Sequence, residues 1–389
     1  MCEICRVRTR KYIFFFTFAY YHGFLSKHFV LVTNNSFPKI RIKDIAGIAG
    51  VSPGTVDRVL HNRGEVSENT RKRILGIIHE LNYQPDILAS ALASKKRYRI
   101  AALIPEAKPG STFWKYPLKG IEDGLREINH FGISLDMYYF DYFDRNSFLK
   151  QSARAIKDKP NGLILAPVFS EEASLVVKNC NDQDIPVVLI NASVCMENCI
   201  AFVGQDSLQS GMVAAKLMDY GLRDNPGILI VNFIREEGKQ LHLLKREEGF
   251  RNYYAKTSQA GCPVLDYLNV SDIIDRKKEK ILKDAIFSSR IPISGIFVTN
   301  SRVFHVARFL EKNSINNITL IGYDLLEENK AYLRKGVIDF LISQKPREQG
   351  LKSLMTLYHH VVLKKEVEKN QYLPIDIITK ENLEHYSFT

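Results

Sequence analysis

Lys and Arg clustered at one end of the chain, two close pairs of cysteines and an adjacent His359-His360 are the residues whose type and spacing bear on chemistry. Of the formal charge of +11, residues 1–38 carry +4 (5 Lys+Arg, 1 acid) and residues 39–99 carry +6 (12 against 6). The remaining 290 residues are nearly balanced, at 37 against 36. A basic front end on a neutral body suits phosphate binding, because clustered Lys and Arg displace condensed counterions. Charge alone leaves open a merely solvated basic face.

The six cysteines are too few and too scattered for a disulfide framework in 389 residues. Cys2 and Cys5 form one CxxC, and Cys195 and Cys199 lie four apart, but neither pair has a second pair at zinc-ligand spacing. Reduced cytosolic thiols are the better reading, with no metal. His359-His360 falls on an amphipathic helical stretch and reads as a surface or interface pair. There is no Walker loop, no Gly-x-Ser-x-Gly elbow and no HExxH. The expectation is therefore a binding protein, not an enzyme, with no cofactor.

The elements that must position any site follow from periodicity. Ile42, Ile45, Ala46 and Ala49 fall at helical spacing and end at Gly50. Ser52 is placed to cap a second helix, with Pro53 at its first position, where a missing N–H costs nothing. Val56, Val59 and Leu60 form its inner stripe. After the turn His61-Asn62-Arg63-Gly64, Ser67 caps a third helix carrying Ile74, Leu75, Ile78 and Leu81. Two short helices about a tight Gly turn, closed by a third, make a helix-turn-helix unit.

Beyond Pro85, residues 86–94 read as a short Ala-rich helix before a basic run, Lys95 to Arg99. Then the texture changes. Apolar strand-like runs at 100–104, 135–140, 162–166, 186–190, 201–203, 228–231, 295–298 and 319–321 alternate with helical stretches such as 117–129, 170–181, 207–220 and 302–311. Continuous apolar strands alternating with helices predict parallel sheets covered on both faces, in two doubly wound lobes. The fold class expected is α/β: an all-α helix-turn-helix head and a two-lobed parallel-sheet body. The boundaries read as an extension at 1–38, the head at 39–84, a hinge helix and linker at 85–98, the bilobed domain at 99–378 and a tail at 379–389. Within the extension, the apolar run Tyr12–Tyr21 is too short to span a bilayer. It reads as a mis-called start, with the protein beginning near Lys39, or else as a weakly membrane-associated tail.

Between Ile42 and Ser94 the chain resembles the head of the lactose-repressor (LacI/GalR) family. The matching stretches are Ile42-Lys43-Asp44-Ile45-Ala46, Ala49-Gly50-Val51-Ser52, Val66 to Arg71, Leu81-Asn82-Tyr83-Gln84-Pro85 and Leu88 to Ser94. The resemblance implies that Pro53–Leu60 is a recognition helix laid in the major groove of double-stranded DNA. Gly54, Thr55 and Asp57 then face bases, beside Arg58. Arg can chelate guanine O6 and N7, whereas Asp accepts only from an amino group such as cytosine N4. Asp57 stands where many members have a hydroxyl, so it either reads a cytosine or orients Arg58, and Arg58 itself is either base reader or phosphate clamp. Lys43, His61, Ser52, Asn69 and Thr70 complete the candidate DNA contacts, with helix capping the alternative for the hydroxyls. Leu88 and Leu92 lie one turn apart on the hinge helix, and Leu92 matches a wedge that enters the minor groove and kinks the duplex.

The rest resembles the family's sensor domain and, equally, the ribose-type periplasmic sugar-binding proteins. By that resemblance the effector, a sugar, would touch the paired aromatics Phe113 and Trp114, then Asn191, Asp206, Arg246 (in the signature Arg246-Glu247-Glu248-Gly249-Phe250), Asn300, Asp324 and Gln344. Asp206 fits an N-cap of the following helix equally well. Flat rings stack on apolar sugar faces, and Arg with Asp and Asn or Gln matches hydroxyls that both donate and accept. All these positions follow strand carboxyl ends, where open α/β sheets bind ligands. The resemblance implies a cytoplasmic, allosteric homodimer on a palindromic operator, repressor by family. The alternative is a periplasmic sugar-binding protein of a transporter.

Overall fold

The computed structural model describes residues 4–9, 12–17, 40–60, 63–81, 83, 96–108, 112–194, 196–222, 227–234, 240–257, 264–271, 275–289 and 291–386. Contacts divide the chain into two compact units, 1–86 and 87–389. Near the start of the first unit, strands β1 (Ile4–Thr9) and β2 (Tyr12–Thr17) pair antiparallel. No helix among the described residues is long and apolar enough to cross a membrane.

The head is three helices, α1 (Ile42–Ala49), α2 (Pro53–Leu60) and α3 (Glu68–Glu80). Gly50 ends α1 with φ +61°, a left-handed conformation that suits a residue without Cβ. Ser52 Oγ accepts from the Thr55 backbone N–H at 3.2 Å, and Ser67 Oγ from that of Thr70 at 3.3 Å. Ile45, Ala46, Ala49, Val56, Val59 and Ile74 form the buried core. Leu75 is 47% exposed, because α3 turns Ile74 inward with Ile77, Ile78 and Leu81 flanking it.

The second unit is two doubly wound lobes. The first has the sheet order β13 (Asn370–Tyr372), β7 (Ala201–Gly204), β6 (Val187–Ile190), β5 (Gly162–Leu165), β3 (Tyr98–Pro105), β4 (Ile133–Phe140). All its pairings are parallel. The second has β14 (Asp376–Ile378), β12 (Phe340–Ser343), β11 (Thr319–Tyr323), β10 (Ile293–Val298), β8 (Gly227–Ile234), β9 (Val264–Ser271), parallel except where β14 meets β12. Successive residues of β3 show why the strands are apolar throughout. Ile100, Ala102 and Ile104 face one buried cluster, and Ala101 and Leu103 face the other. A strand buried on both faces cannot alternate polar with apolar.

Helices α4 (Lys115–Ile128), α5 (Arg145–Lys157), α6 (Ser170–Asn181) and α12 (Pro346–Leu357) cover the first sheet. Helices α7 (Ser207–Gly221), α8 (Leu241–Thr257), α9 (Asp275–Phe287), α10 (Val303–Lys312) and α11 (Glu327–Arg334) cover the second. The chain passes between lobes three times: after β7, after β12 and between β13 and β14. Gln205 Nε2 donates to the Ser343 carbonyl at 3.0 Å, and Leu373 N to that of Gly204 at 2.8 Å, so the three passages are tied side by side.

Because the head is a unit of its own, a core cavity in it should spare the second unit. Ile74→Ala deletes a fully buried side chain, at about 2–5 kcal/mol. The expected outcome is loss of the head's helical signal in circular dichroism with the melting of the second unit, followed by the single tryptophan Trp114, unchanged. A matching drop in the Trp114 transition would contradict independent units.

Candidate functional site

On the head, Ser52, Pro53, Gly54 and Arg58 are exposed, and Thr55 and Asp57 are half-buried at the start and middle of α2. Val56 and Val59 anchor the opposite side in the core. The hydroxyls have local work: Ser52 Oγ lies 3.0 Å from Thr55 Oγ1, and Ser67 Oγ 2.8 Å from Thr70 Oγ1. Lys43 and Asn69 are exposed on α1 and α3. The face therefore offers one guanidinium and a set of small polar groups on a rigid helix, which suits reading base edges while caps hold the helix ends. His61, Leu88 and Leu92 lie outside the described residues.

In the second unit a cavity of about 540 Å³ opens between the lobes. Both sheets have the order 2-1-3-4-5 with a returning strand added, so each has a switch point beside its first strand. Ligands bind outside the strand carboxyl ends at such points. The segments after β3, β4, β5, β6, β8, β10, β11 and β12 supply the walls.

Arg246 is the central group. It is 1% exposed on α8, with Nη1 donating to the Thr299 carbonyl at 2.7 Å and Nη2 donating to Gln344 Oε1. Its guanidinium carbon lies 3.8 Å from the centre of the Tyr323 ring. Its Nε is buried without a hydrogen-bond partner. Gly249, three residues on, explains the placement. A Cβ there would collide with the Leu208 carbonyl, and one on Gly211 with that of Arg246 itself. Backbone contact between α7 and α8 thus brings Arg246 under the cavity floor. Burial pulls its proton affinity down, while the Tyr323 hydroxyl and Asp324 oppose the loss.

Asp324 lies behind this group. Its Oδ2 accepts from Gln344 Nε2 at 2.6 Å and its Oδ1 from Gln344 N at 3.2 Å. That fixes the amide so that Oε1 faces Arg246 and Asn191, whose Nδ2 donates across the cleft at 3.3 Å. Burial pushes the Asp324 carboxyl up to about 6, against the pull of Arg246 and Gln344. Asn191 (φ +73°), Asp324 (φ +66°) and Lys345 (φ +52°) all adopt left-handed backbone at or just past the ends of β6, β11 and β12. Such residues cost about 1–3 kcal/mol and cluster where geometry serves a site. Asn and Asp tolerate the region best.

Phe113 and Trp114 line the first lobe's wall, edge to face at 5.3 Å. Asn191, Arg246, Asn300 and Gln344 line it as well. Asn300 is held by Nδ2 donating to Phe233 O at 2.8 Å and Oδ1 accepting from Arg302 N at 3.2 Å. Two expected ligand residues are placed otherwise. Asp206 is not on the cavity wall: its carboxylate caps α7, accepting from Gln209 N at 3.0 Å. Asp324 lies one layer back, committed to Gln344 and bordering a separate cavity of about 290 Å³. Sequence reasoning missed Tyr142, Phe143, His242, Arg302, His305 and Glu328, which also line the cleft. Arg302 could have been found by extending the strand-end rule past Asn300, and Tyr142 and Phe143 by extending it past β4. His242, His305 and Glu328 sit on helices whose approach no local pattern shows.

Residues 41–86 match the description "Bacterial regulatory proteins, lacI family", and residues 101–366 match "Periplasmic binding protein domain". This chain belongs to the lacI family of regulators. A solved structure described as a LacI transcriptional regulator from Bacteroides fragilis superposes with TM-score 0.69 at 32% identity, covering 75% of this chain and all of that one. The ribose operon repressor of Lactococcus lactis is 24% identical over 349 residues, 88% of this chain and 97% of its own. The HTH-type regulator MalR of Streptococcus pneumoniae is 29% identical over 180 residues. That match takes in 46% of this chain and about half, 52%, of MalR. The lacI-family head and the periplasmic-binding-protein-like body are thus both present, as are the two mostly parallel sheets their fold requires.

The Asp324 carboxyl gives a signed pH test. Its value is raised from 3.8 to about 6, so the folded state binds its proton more tightly than the unfolded chain. Stability from this group is fully present below pH 3.8 and is lost as pH rises through about 6. At about 1.4 kcal/mol per unit, the loss is roughly 3 kcal/mol. Wild type should therefore fall relative to Asp324→Asn in urea unfolding between pH 4 and 7 and run parallel to it above. A difference independent of pH would remove the assignment.

Proposed function

We propose that this chain is a sequence-specific DNA-binding regulator whose operator affinity is set by a small-molecule effector, a sugar, held in the cleft between its sensor lobes. The single observation that carries the reading is the union in one chain of an exposed α2 bearing Arg58 with a cleft built around a buried Arg246. A buried guanidinium among amides, beside an edge-to-face pair of aromatics, is equipped to hold a polar ligand with flat apolar faces.

The named relatives support the regulatory half, MalR and the ribose operon repressor by their names. On this reading Gly54, Thr55, Asp57 and Arg58 meet base edges, and Lys43, Ser52, Asn69 and Thr70 meet phosphates. Leu88 and Leu92 act as the hinge and wedge. Two copies bind a palindromic operator, since a two-fold protein matches a two-fold site. The protein works in the cytoplasm, where the DNA is, and is not an enzyme. Ligand and operator are coupled through lobe closure. Asn191 and Gln344, which already touch across the cleft, would shift with the ligand and reset the three passages between lobes. Reciprocity follows: whatever the effector does to operator affinity, the operator does to effector affinity.

The test uses labelled duplexes recovered by selection with the full chain, titrated with and without an effector whose occupancy is followed by Trp114 fluorescence. Saturation should change operator affinity by about 5–150-fold, the ordinary range of such coupling. Unchanged affinity at a saturated cleft would sink the proposal. Arg58→Ala should cost about 1–3 kcal/mol on the preferred duplex and relax discrimination at one base pair. Lys43→Ala should weaken all duplexes alike and lower the salt slope by about 1. A uniform, salt-dependent loss in Arg58→Ala would make that residue a phosphate clamp.

A further inference from the structure

The first lobe presents two pairs of aromatic rings to the cleft. Phe113 and Trp114 follow β3, and Tyr142 and Phe143 follow β4. Each pair meets edge to face, with ring centres 5.3 and 5.1 Å apart. Strands β3 and β4 stay in parallel register to their last residues, Pro105 beside Phe140, so the two segments leave the sheet side by side. β4 is the edge strand, which sets Tyr142 and Phe143 past the outer of the two strands.

Exposure rises along this aromatic wall. Trp114 and Phe113 are 5% and 9% exposed, Tyr142 is half-buried against the cluster that holds them, and Phe143 is 44% exposed. Ile190 belongs to the same cluster, and the next residue, Asn191, joins this inner end to Gln344 and so to Arg246. On the second lobe Leu241, another lining residue, is 38% exposed. The Arg302 guanidinium carbon, also from that lobe, lies 5.6 and 5.9 Å from the ring centres of Tyr142 and Phe143. Both lobes therefore border the outer pair. Large apolar side chains left in water on the wall of a cleft mark a place where a ligand lies.

One sugar ring has too little apolar surface for two such pairs, since each flat C–H face covers about one aromatic platform. Volume agrees. At about 30 Å³ of liquid per water molecule, a cavity of about 540 Å³ holds roughly eighteen water-sized groups, more than one hexose with its hydroxyls fills. Resting on the sensor reading above, we infer that the effector is an oligosaccharide of two or more linked rings. The inner ring lies on Phe113 and Trp114 within reach of Asn191, Gln344 and Arg246, which read its hydroxyls. The next ring lies on Tyr142 and Phe143 at the cleft mouth. The outer pair thereby selects for chain length, and Phe143 is the residue that carries the selection.

The experiment titrates the full chain with matched sets: glucose, maltose, cellobiose and phenyl glucoside; xylose and xylobiose; mannose and mannobiose. Occupancy is read from Trp114 fluorescence and melting temperature. The expected result is half-saturation by at least one disaccharide at a concentration tenfold or more below that of its monosaccharide. Phe143→Ala should raise that concentration tenfold or more for the disaccharide and leave the monosaccharide within twofold. Phe143→Tyr should keep the preference, and the melting temperature of the free Phe143→Ala chain should match wild type, which separates a lost platform from a folding defect. A monosaccharide that binds as well as every disaccharide built from it overturns the inference and leaves the sensor reading standing. So does phenyl glucoside binding tenfold more tightly than every disaccharide, which would give the outer pair to an aromatic aglycone. Equal weakening of both sugars by Phe143→Ala also overturns it, as does no response to any of these sugars. The sensor reading is then judged separately, by whether a deproteinised cell extract changes the affinity of the chain for its operator duplex.

Discussion

A guanidinium with almost no contact to water organises the sensor. An unpaired buried cation is far too costly to keep, so everything near Arg246 is arranged to accept its hydrogens or face its charge. The Thr299 carbonyl stands at the end of β10, Gln344 at the end of β12 and the Tyr323 ring at the end of β11. Three neighbouring strands of one sheet thus terminate on one side chain from α8. Asp324 completes the arrangement without touching the cavity, orienting Gln344 so that its oxygen and not its amide nitrogen meets the arginine. Its own raised proton affinity is the consequence of that burial.

The same chain of contacts reaches the other lobe. Gln344 sits at the second passage between lobes, and its oxygen also accepts from Asn191 at the end of β6. Gln205, at the first passage, binds the carbonyl just before Gln344. Any ligand that competes for these groups must disturb the region through which the lobes are joined. The groups that face the cleft and the groups that join the lobes are thus largely the same ones. The floor beneath it is stiff. The Gly211–Gly249 approach in one lobe and the corresponding Gly120–Gly350 approach in the other lock helices backbone to backbone. Side chains at those four positions would force the helices apart.

The head solves a smaller problem with different means. Six buried apolar side chains, at about 1.5–3 kcal/mol for each large one, hold three short helices that would not persist alone. Serine caps and a left-handed Gly50 define their ends. What remains outside is the face carrying Arg58, exposed because its neighbours Val56 and Val59 take the inward positions.

Much of this is legible in one dimension. Helical spacing, Ser-Pro and Gly signals locate the three head helices, since caps and amphipathic stripes are local. Apolar runs locate the doubly wound strands, and the resemblance to ribose-type sugar-binding proteins picks out Phe113, Trp114, Asn191, Arg246, Asn300 and Gln344, which line the cleft. Tertiary structure alone decides the rest. Leu75 and Ile74 are both apolar at adjacent positions, and only the rotation of α3 in its core tells them apart. Asp206 and Asp324 both follow strands, yet one caps a helix and the other turns behind Gln344, because local hydrogen bonds and a left-handed backbone direct each away from the cavity. Arg302 and the rings of Tyr142 and Phe143 are some 160 residues apart and meet only when the two lobes face each other. The sequence by itself determined which residue types stand at the strand ends. Which of them face the cleft was decided by folding, because it depends on which side chains the backbone turns in and which it turns away.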